Sequence, residues 1–139
     1  MWNSPHTLRR LVKHEDARGL LVELLRFDDP HIPEGGQVYT FTILPGQRRG
    51  DHYHHHKCEW FTCVHGHARV LLTTPDDKLV SLDLALDSPS LLYVGAGTTH
   101  ALINEGNELA VIVSYGIPAH NPDAPDTYVK EAYPGYQRV

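Results

Sequence analysis

Cysteine is scarce in this chain of 139 residues: Cys58 and Cys63 are the whole supply. They stand five positions apart in a segment that reads as strand, and five extended residues span roughly 16 Å, well beyond disulfide reach. Nor does one pair at that spacing make a zinc ribbon, so two reduced, buried thiols of a cytoplasmic protein are expected. Long apolar runs are absent too. The N-terminal segment MWNSPHTLRRLVKHEDARG holds no stretch long enough for a signal peptide, and no run approaches a membrane span. No block of Lys and Arg occurs, and 12 basic against 17 acidic residues argues against general nucleic-acid binding. Helical periodicity fails to last three turns anywhere. Helix should therefore be marginal, with the first dozen residues and a turn around Asp126–Ala132 as exceptions. Repeats, linkers and low-complexity tracts are also missing, and the length fits one domain.

What is present is short strand and much histidine. Apolar runs rich in Val, Leu, Ile, Tyr and Thr predict strands at Leu20–Phe27, Gln37–Leu44, Cys58–Val64, His67–Thr74, Leu79–Leu86, Leu91–Val94, Ala101–Asn104 and Leu109–Tyr115. Gly, Pro, Asp and Asn punctuate the gaps, as at Pro75-Asp76-Asp77 and Gly95-Ala96-Gly97. Such a series predicts an all-β sandwich or jelly-roll barrel. The tail His120–Val139 is expected to wrap over it. Eleven histidines are several times an ordinary share, and protonating all of them would reverse the net charge of −5.

Most of the information sits in Gly50-Asp51-His52-Tyr53-His54-His55-His56-Lys57-Cys58-Glu59. His52, His54 and His56 alternate, so an extended backbone puts them on one face. Glu59 follows a short loop and can begin the next antiparallel strand, which would bring imidazoles and a carboxylate into one cavity. His100, after Gly95-Ala96-Gly97-Thr98-Thr99, is the candidate for a distant fourth ligand. Imidazole and carboxylate donors together suit zinc, nickel, iron or manganese.

These residues resemble a known family. Gly46, His52-x-His54, Glu59 and Gly66 carry the spacing of the first cupin motif without a gap. Gly97-x-x-His100-x-x-x-Asn104 resembles the core of the second, with Gly95 in place of its usual proline and Pro89 in place of its leading glycine. The resemblance implies a single all-β cupin barrel over about residues 16–118, with tail 119–139 packed on it. It also implies His52, His54, Glu59 and His100 as ligands of one divalent metal per chain, zinc foremost. Pairing through barrel faces makes a homodimer the default.

Three stretches narrow the branch. Asp16-Ala17-Arg18-Gly19-Leu20 resembles the Asp-x-Arg-Gly opening of cupins that act on 4-keto nucleotide sugars. Arg49–Lys57 and Asn121-Pro122-Asp123-x-Pro125-Asp126-Thr127-Tyr128 are similar to segments of the C-terminal cupin domain of bifunctional capsular-polysaccharide enzymes. That domain is a zinc-dependent C3 epimerase of UDP-4-keto-6-deoxy-hexosamines, and the likeness runs from Asp16 to Tyr128. The reductase half of those enzymes has no counterpart here, since no Gly-rich nucleotide fingerprint occurs. The dTDP-4-keto-6-deoxyglucose 3,4-ketoisomerases resemble the chain more distantly, because aligning them requires a gap after Gly50.

C3 epimerisation beside a ketone needs a base, an acid and an electrophile at the C4 oxygen. The ligand set would hold the electrophile. His56 or His67 is expected as base, and Tyr39, Tyr53 or Lys57 as acid. Arg18, Arg48 and Arg49 are expected to bind the diphosphate. Each has a plainer alternative role: Arg18 anchors a turn to Asp16, Arg48 and Arg49 form a solvated pair, and the tyrosines are ordinary strand aromatics. A ketoisomerase, an iron-dependent cupin dioxygenase and a non-catalytic sugar- or metal-binding cupin are the competing functions.

Overall fold

The structure, a computed structural model, describes residues 1–138. Twelve strands make it up: β1 (His6–Arg10), β2 (Lys13–Asp16), β3 (Gly19–Val22), β4 (Gln37–Ile43), β5 (Arg48–Tyr53), β6 (Cys58–His65), β7 (His67–Thr73), β8 (Leu79–Ala85), β9 (Ser90–Val94), β10 (Thr99–Ile103), β11 (Ala110–Ile117) and β12 (Tyr128–Val129). Two five-stranded antiparallel sheets, β1-β9-β6-β11-β4 and β12-β5-β10-β7-β8, face each other, and β2-β3 forms a separate hairpin. This is the all-β jelly-roll architecture of a cupin barrel. Cys58 and Cys63 are both unpaired thiols.

Alternation along the strands builds the interior. On β6, Glu59, Phe61 and Cys63 face inward while Trp60 points out. On β10, His100 and Leu102 face in and Ala101 faces out. The inner apolar core joins Ile43, Phe61, Val70, Leu72, Leu102 and Ile112. Both sheets are covered outside as well. Trp60 and Tyr115 pack with Ile32 and the N-terminal Trp2 and Leu11, while Leu71 and Ala101 pack under Ala132, Tyr133 and Tyr136 of the tail. Burial on both faces explains why β6 and β7 read as nearly continuous apolar runs.

Three expectations are corrected. The first dozen residues form no helix: β1 pairs along β9, with Leu8 opposite Leu92, because that edge offers ladder hydrogen bonds while the segment has no apolar helical stripe to bury. Around Asp126–Ala132 the chain forms β12 on the edge of β5 instead of a helical turn. Leu20–Phe27 is strand only as far as Val22, after which Leu25 leaves the ladder to pack beside Trp60.

The strand that carries the histidines is also placed differently. β5 and β6 are not hydrogen-bonded neighbours; they belong to opposite sheets, and β5 pairs with β10. His52 lies opposite His100, but Ala101 lies opposite Gly50, so Asp51 is an extra, bulged residue. Gly50 and Asp51 accordingly have φ of 101° and 59°. A Cβ on Gly50 would stand 2.7 Å from the His100 carbonyl oxygen, so the bulge requires glycine.

Candidate metal centre and active site

One end of the barrel is polar inside. Ring nitrogens of His52, His54 and His100 all lie within 4.8 Å of one another. His52 comes from β5, His54 from the residue after Tyr53, His100 from β10, and Glu59 from the facing sheet. Glu59 Oε1 stands 2.9 Å from His54 Nε2 and 3.3 Å from His100 Nε2. Its other oxygen accepts the Tyr39 hydroxyl and lies 3.9 Å from Lys57 Nζ. His54, Glu59 and His100 are buried, whereas His52 is half-buried and faces the opening.

Hydrogen bonds behind the rings fix their orientation. His54 Nδ1 contacts the Asp126 carbonyl at 2.5 Å, and His100 Nδ1 contacts the Thr98 carbonyl at 3.1 Å. A carbonyl only accepts, so both Nδ1 atoms donate, and a neutral ring then presents an Nε2 lone pair to Glu59. Two acceptors 2.9 Å apart demand a cation between them, either a proton on the imidazole or a metal ion. Three imidazoles and a carboxylate, with their outer nitrogens committed to carbonyls, are a donor set that suits a divalent ion of borderline softness.

The ionisations follow the same geometry. Burial would raise the Glu59 carboxyl, yet bonds from His100 and His54 hold it well below its usual range. Burial and the neighbouring His100 and His54 push His52 down to about 4. His54 is lifted above its ordinary value, because Glu59 outweighs the effect of burial. Burial and the Glu59 charge raise Tyr39, which keeps its proton.

A cavity of about 250 Å³ opens onto this cluster. Phe41, Phe61 and Leu102 form its apolar wall, and Tyr39, Arg49, His52, Glu59 and His100 its polar side. Arg49 donates from Nε to the Thr42 carbonyl at 2.8 Å, which plants its charge on the cavity wall.

Of the acid–base residues expected from sequence, Tyr39 and Lys57 are at the cluster; the others are elsewhere. Tyr53 points to the opposite side of β5, where its ring stacks on Tyr128 at 5.4 Å. His56 is exposed and lines a neighbouring cavity with Lys57 and His120. His67 pairs with Asp83 at 3.1 Å. It lies five residues along β7 from Leu72, the partner of His100, which is roughly 16 Å of strand. Arg18 is 91% exposed on the β2-β3 hairpin and bonded to Asp16, its plainer alternative role. Arg48 binds Asp51 and the Ala132 carbonyl outside the barrel. The bulge separates the two arginines. Arg49 is opposite inward Leu102 and Arg48 opposite outward Ile103, so Arg49 and His52 share the cavity despite a spacing of three. Asp126 was legible only as part of a resembling segment, since its contacts depend on the folded tail.

A two-sheet barrel with three imidazoles and a carboxylate inside one mouth defines a cupin. The chain belongs to the family described as the polysaccharide biosynthesis C-terminal domain, which it matches over residues 14–128. It is similar to the spore coat polysaccharide biosynthesis protein SpsL of Bacillus subtilis, with 30% identity over 125 residues, 86% of this chain and 83% of that protein. It is also similar to the UDP-2-acetamido-2,6-beta-L-arabino-hexul-4-ose reductase of Pseudomonas aeruginosa, 32% identical over 119 residues. That match covers 83% of this chain but 30% of the reductase, so the chain spans under a third of that relative. In fold it resembles the dTDP sugar isomerase of Desulfovibrio desulfuricans, with TM-score 0.82, 18% identity, and 94% and 87% of the two chains covered.

Proposed function

We propose that this cupin is a metal-dependent epimerase of a 4-keto nucleotide sugar, inverting C3 by proton removal beside the ketone. The observation that carries the reading is the cluster itself: Glu59 bound to His54, His100 and Tyr39, with Lys57 beside it, at the wall of a half-apolar cavity. A divalent ion held by His52, His54, Glu59 and His100, zinc first among the choices, would polarise the C4 oxygen as a Lewis acid when bound.

The chain's own residues supply the rest. Inversion needs a base and an acid at C3. Of the acid–base residues expected from sequence, Tyr39 is the one that lines the cavity, while Lys57 stands 3.9 Å from the same Glu59 oxygen and lines the neighbouring cavity. Tyr39 retains its proton in the resting site and is assigned as the acid. Arg49 is the remaining arginine for the diphosphate, where a planar guanidinium suits paired oxygens. Phe41 and Phe61 shield the reacting carbon from water. A UDP-linked 2-acetamido sugar is the first substrate to try, in keeping with the name of the Pseudomonas relative.

The test is incubation with a UDP-4-keto-6-deoxy-hexosamine in deuterium oxide, followed by NMR. Deuterium at C3, inversion there and a ketone kept at C4 are expected. Migration of the carbonyl to C3 would instead make the protein a ketoisomerase, and no exchange with UDP- or dTDP-linked 4-keto sugars would sink the proposal. Tyr39→Phe should lower kcat by roughly 10²–10⁴-fold with metal content unchanged, as read by elemental analysis.

A further inference from the structure

The C-terminal segment returns to the site, and Asp126 touches it twice. Its Oδ1 accepts the backbone N–H of His55 at 2.9 Å, and its Oδ2 accepts those of His56 at 2.7 Å and Lys57 at 3.0 Å. Its own carbonyl accepts His54 Nδ1–H. Every residue from 54 to 57 is therefore held by one residue 70 positions beyond His56. Three successive N–H groups converging on one point make an anion-binding nest, here filled by the chain's own carboxylate.

The reaction proposed above gives Asp126 no part. The two contacts nevertheless join the tail to both ends of the histidine loop. On one side stands His54, whose ring orientation depends on the Asp126 carbonyl. On the other stands Lys57, whose side chain reaches from the pinned backbone to within 3.9 Å of Glu59. β12 begins two residues later and continues the pairing with β5, Tyr128 opposite Tyr53 and Val129 opposite His52.

We propose that Asp126 is a positioning residue: its carboxylate locks the 55–57 backbone so that its carbonyl holds His54 as the Nδ1–H tautomer, with Nε2 aimed at the metal centre. The inference rests on the reading of His54 as a metal ligand. The carbonyl survives any substitution at 126, so replacing the side chain tests whether the latch places it.

In Asp126→Ala, zinc affinity measured by chelator competition should fall 10–100-fold, the range for loss of a group that orients a ligand. Asp126→Asn keeps one acceptor oxygen and should fall between Ala and wild type. In metal-free protein labelled with ¹⁵N-histidine, His54 should show one Nδ1–H tautomer in wild type and a mixture in Asp126→Ala. Tyr136→Phe, which removes a tail hydrogen bond to Glu105, should move neither reading. Wild-type zinc affinity or an unchanged His54 tautomer in Asp126→Ala would overturn the proposal. Should that variant fail to fold, Asp126→Asn carries the same comparison. A wild-type protein that binds no zinc would defeat the metal reading alone, and the tautomer measurement would still decide the latch.

Discussion

Glu59 keeps its charge where burial alone would protonate it, because both oxygens have partners: His54 and His100 on one, Tyr39 on the other. His52 is the opposite case. Burial and two neighbouring imidazoles hold it neutral, at about 4 against an ordinary 6.5. The sign of its effect on stability follows from proton binding. Between pH 6.5 and 4 the unfolded chain takes up a proton that the native ring resists, so stability falls as pH falls through that window. Glu59, depressed, contributes stability above its ordinary 4.5 that is lost only as pH drops through its lower native value. His54, raised, contributes stability below 6.5 that is lost as pH climbs through its folded value. In chelator-treated protein, His52→Asn should therefore flatten the decline in melting temperature between pH 6.5 and 4. Equal slopes for wild type and variant would show that His52 is not held neutral.

Among the elements, β5 matters most, and its bulge does the arranging. Strict alternation would put Arg49 and His52 on opposite faces. The extra residue Asp51 turns both inward, and Arg48 outward to the tail. Asp51 itself is tied to Arg48 and to the Ala132 N–H at 3.0 Å, so the bulge and the tail brace each other. Gly50→Ala should disturb this directly, since the new Cβ meets backbone of β10. A loss of about 1–3 kcal/mol is expected from the strained φ, read as a lowered melting temperature, together with weaker metal binding as His52 and His100 move apart. A variant of unchanged stability and zinc affinity would contradict the role given to the bulge.

Across the whole molecule, the four proposed ligands come from β5 and the loop after it, β6 and β10, and thus from both sheets. A metal that binds them all cross-links the sandwich in the native state only. At a free concentration of 100 times Kd that linkage amounts to about 2.7 kcal/mol, or roughly 5–15 °C in melting temperature for a domain of this size. Chelation should produce such a drop in scanning calorimetry, and zinc should restore it. The outer covers on the two sheets also act at this scale, because Trp2 and Ala132 come from opposite ends of the chain and bury faces that would otherwise be wet. Among the described residues no helix is long and apolar enough to cross a membrane.

Local pattern was enough for most of the strands and for the jelly-roll class, and alternation put His52 and His54 on one face, because these are properties of a single segment. Glu59 and His100 completed the group through the resemblance to the two cupin motifs, since His100 reaches His52 only by strand pairing. Pairing is not such a property. That β5 lies against β10 rather than β6, that β1 and β12 complete the sheets, and that His67 and Tyr53 point away from the cavity were decided by contacts between residues far apart in the chain. The bulge at Asp51 has the same origin: a one-residue slip reverses every side chain beyond it, and only the partner strand sets the register. The excess of histidine thus marked the site in the sequence, while the tertiary structure decided which imidazoles belong to it.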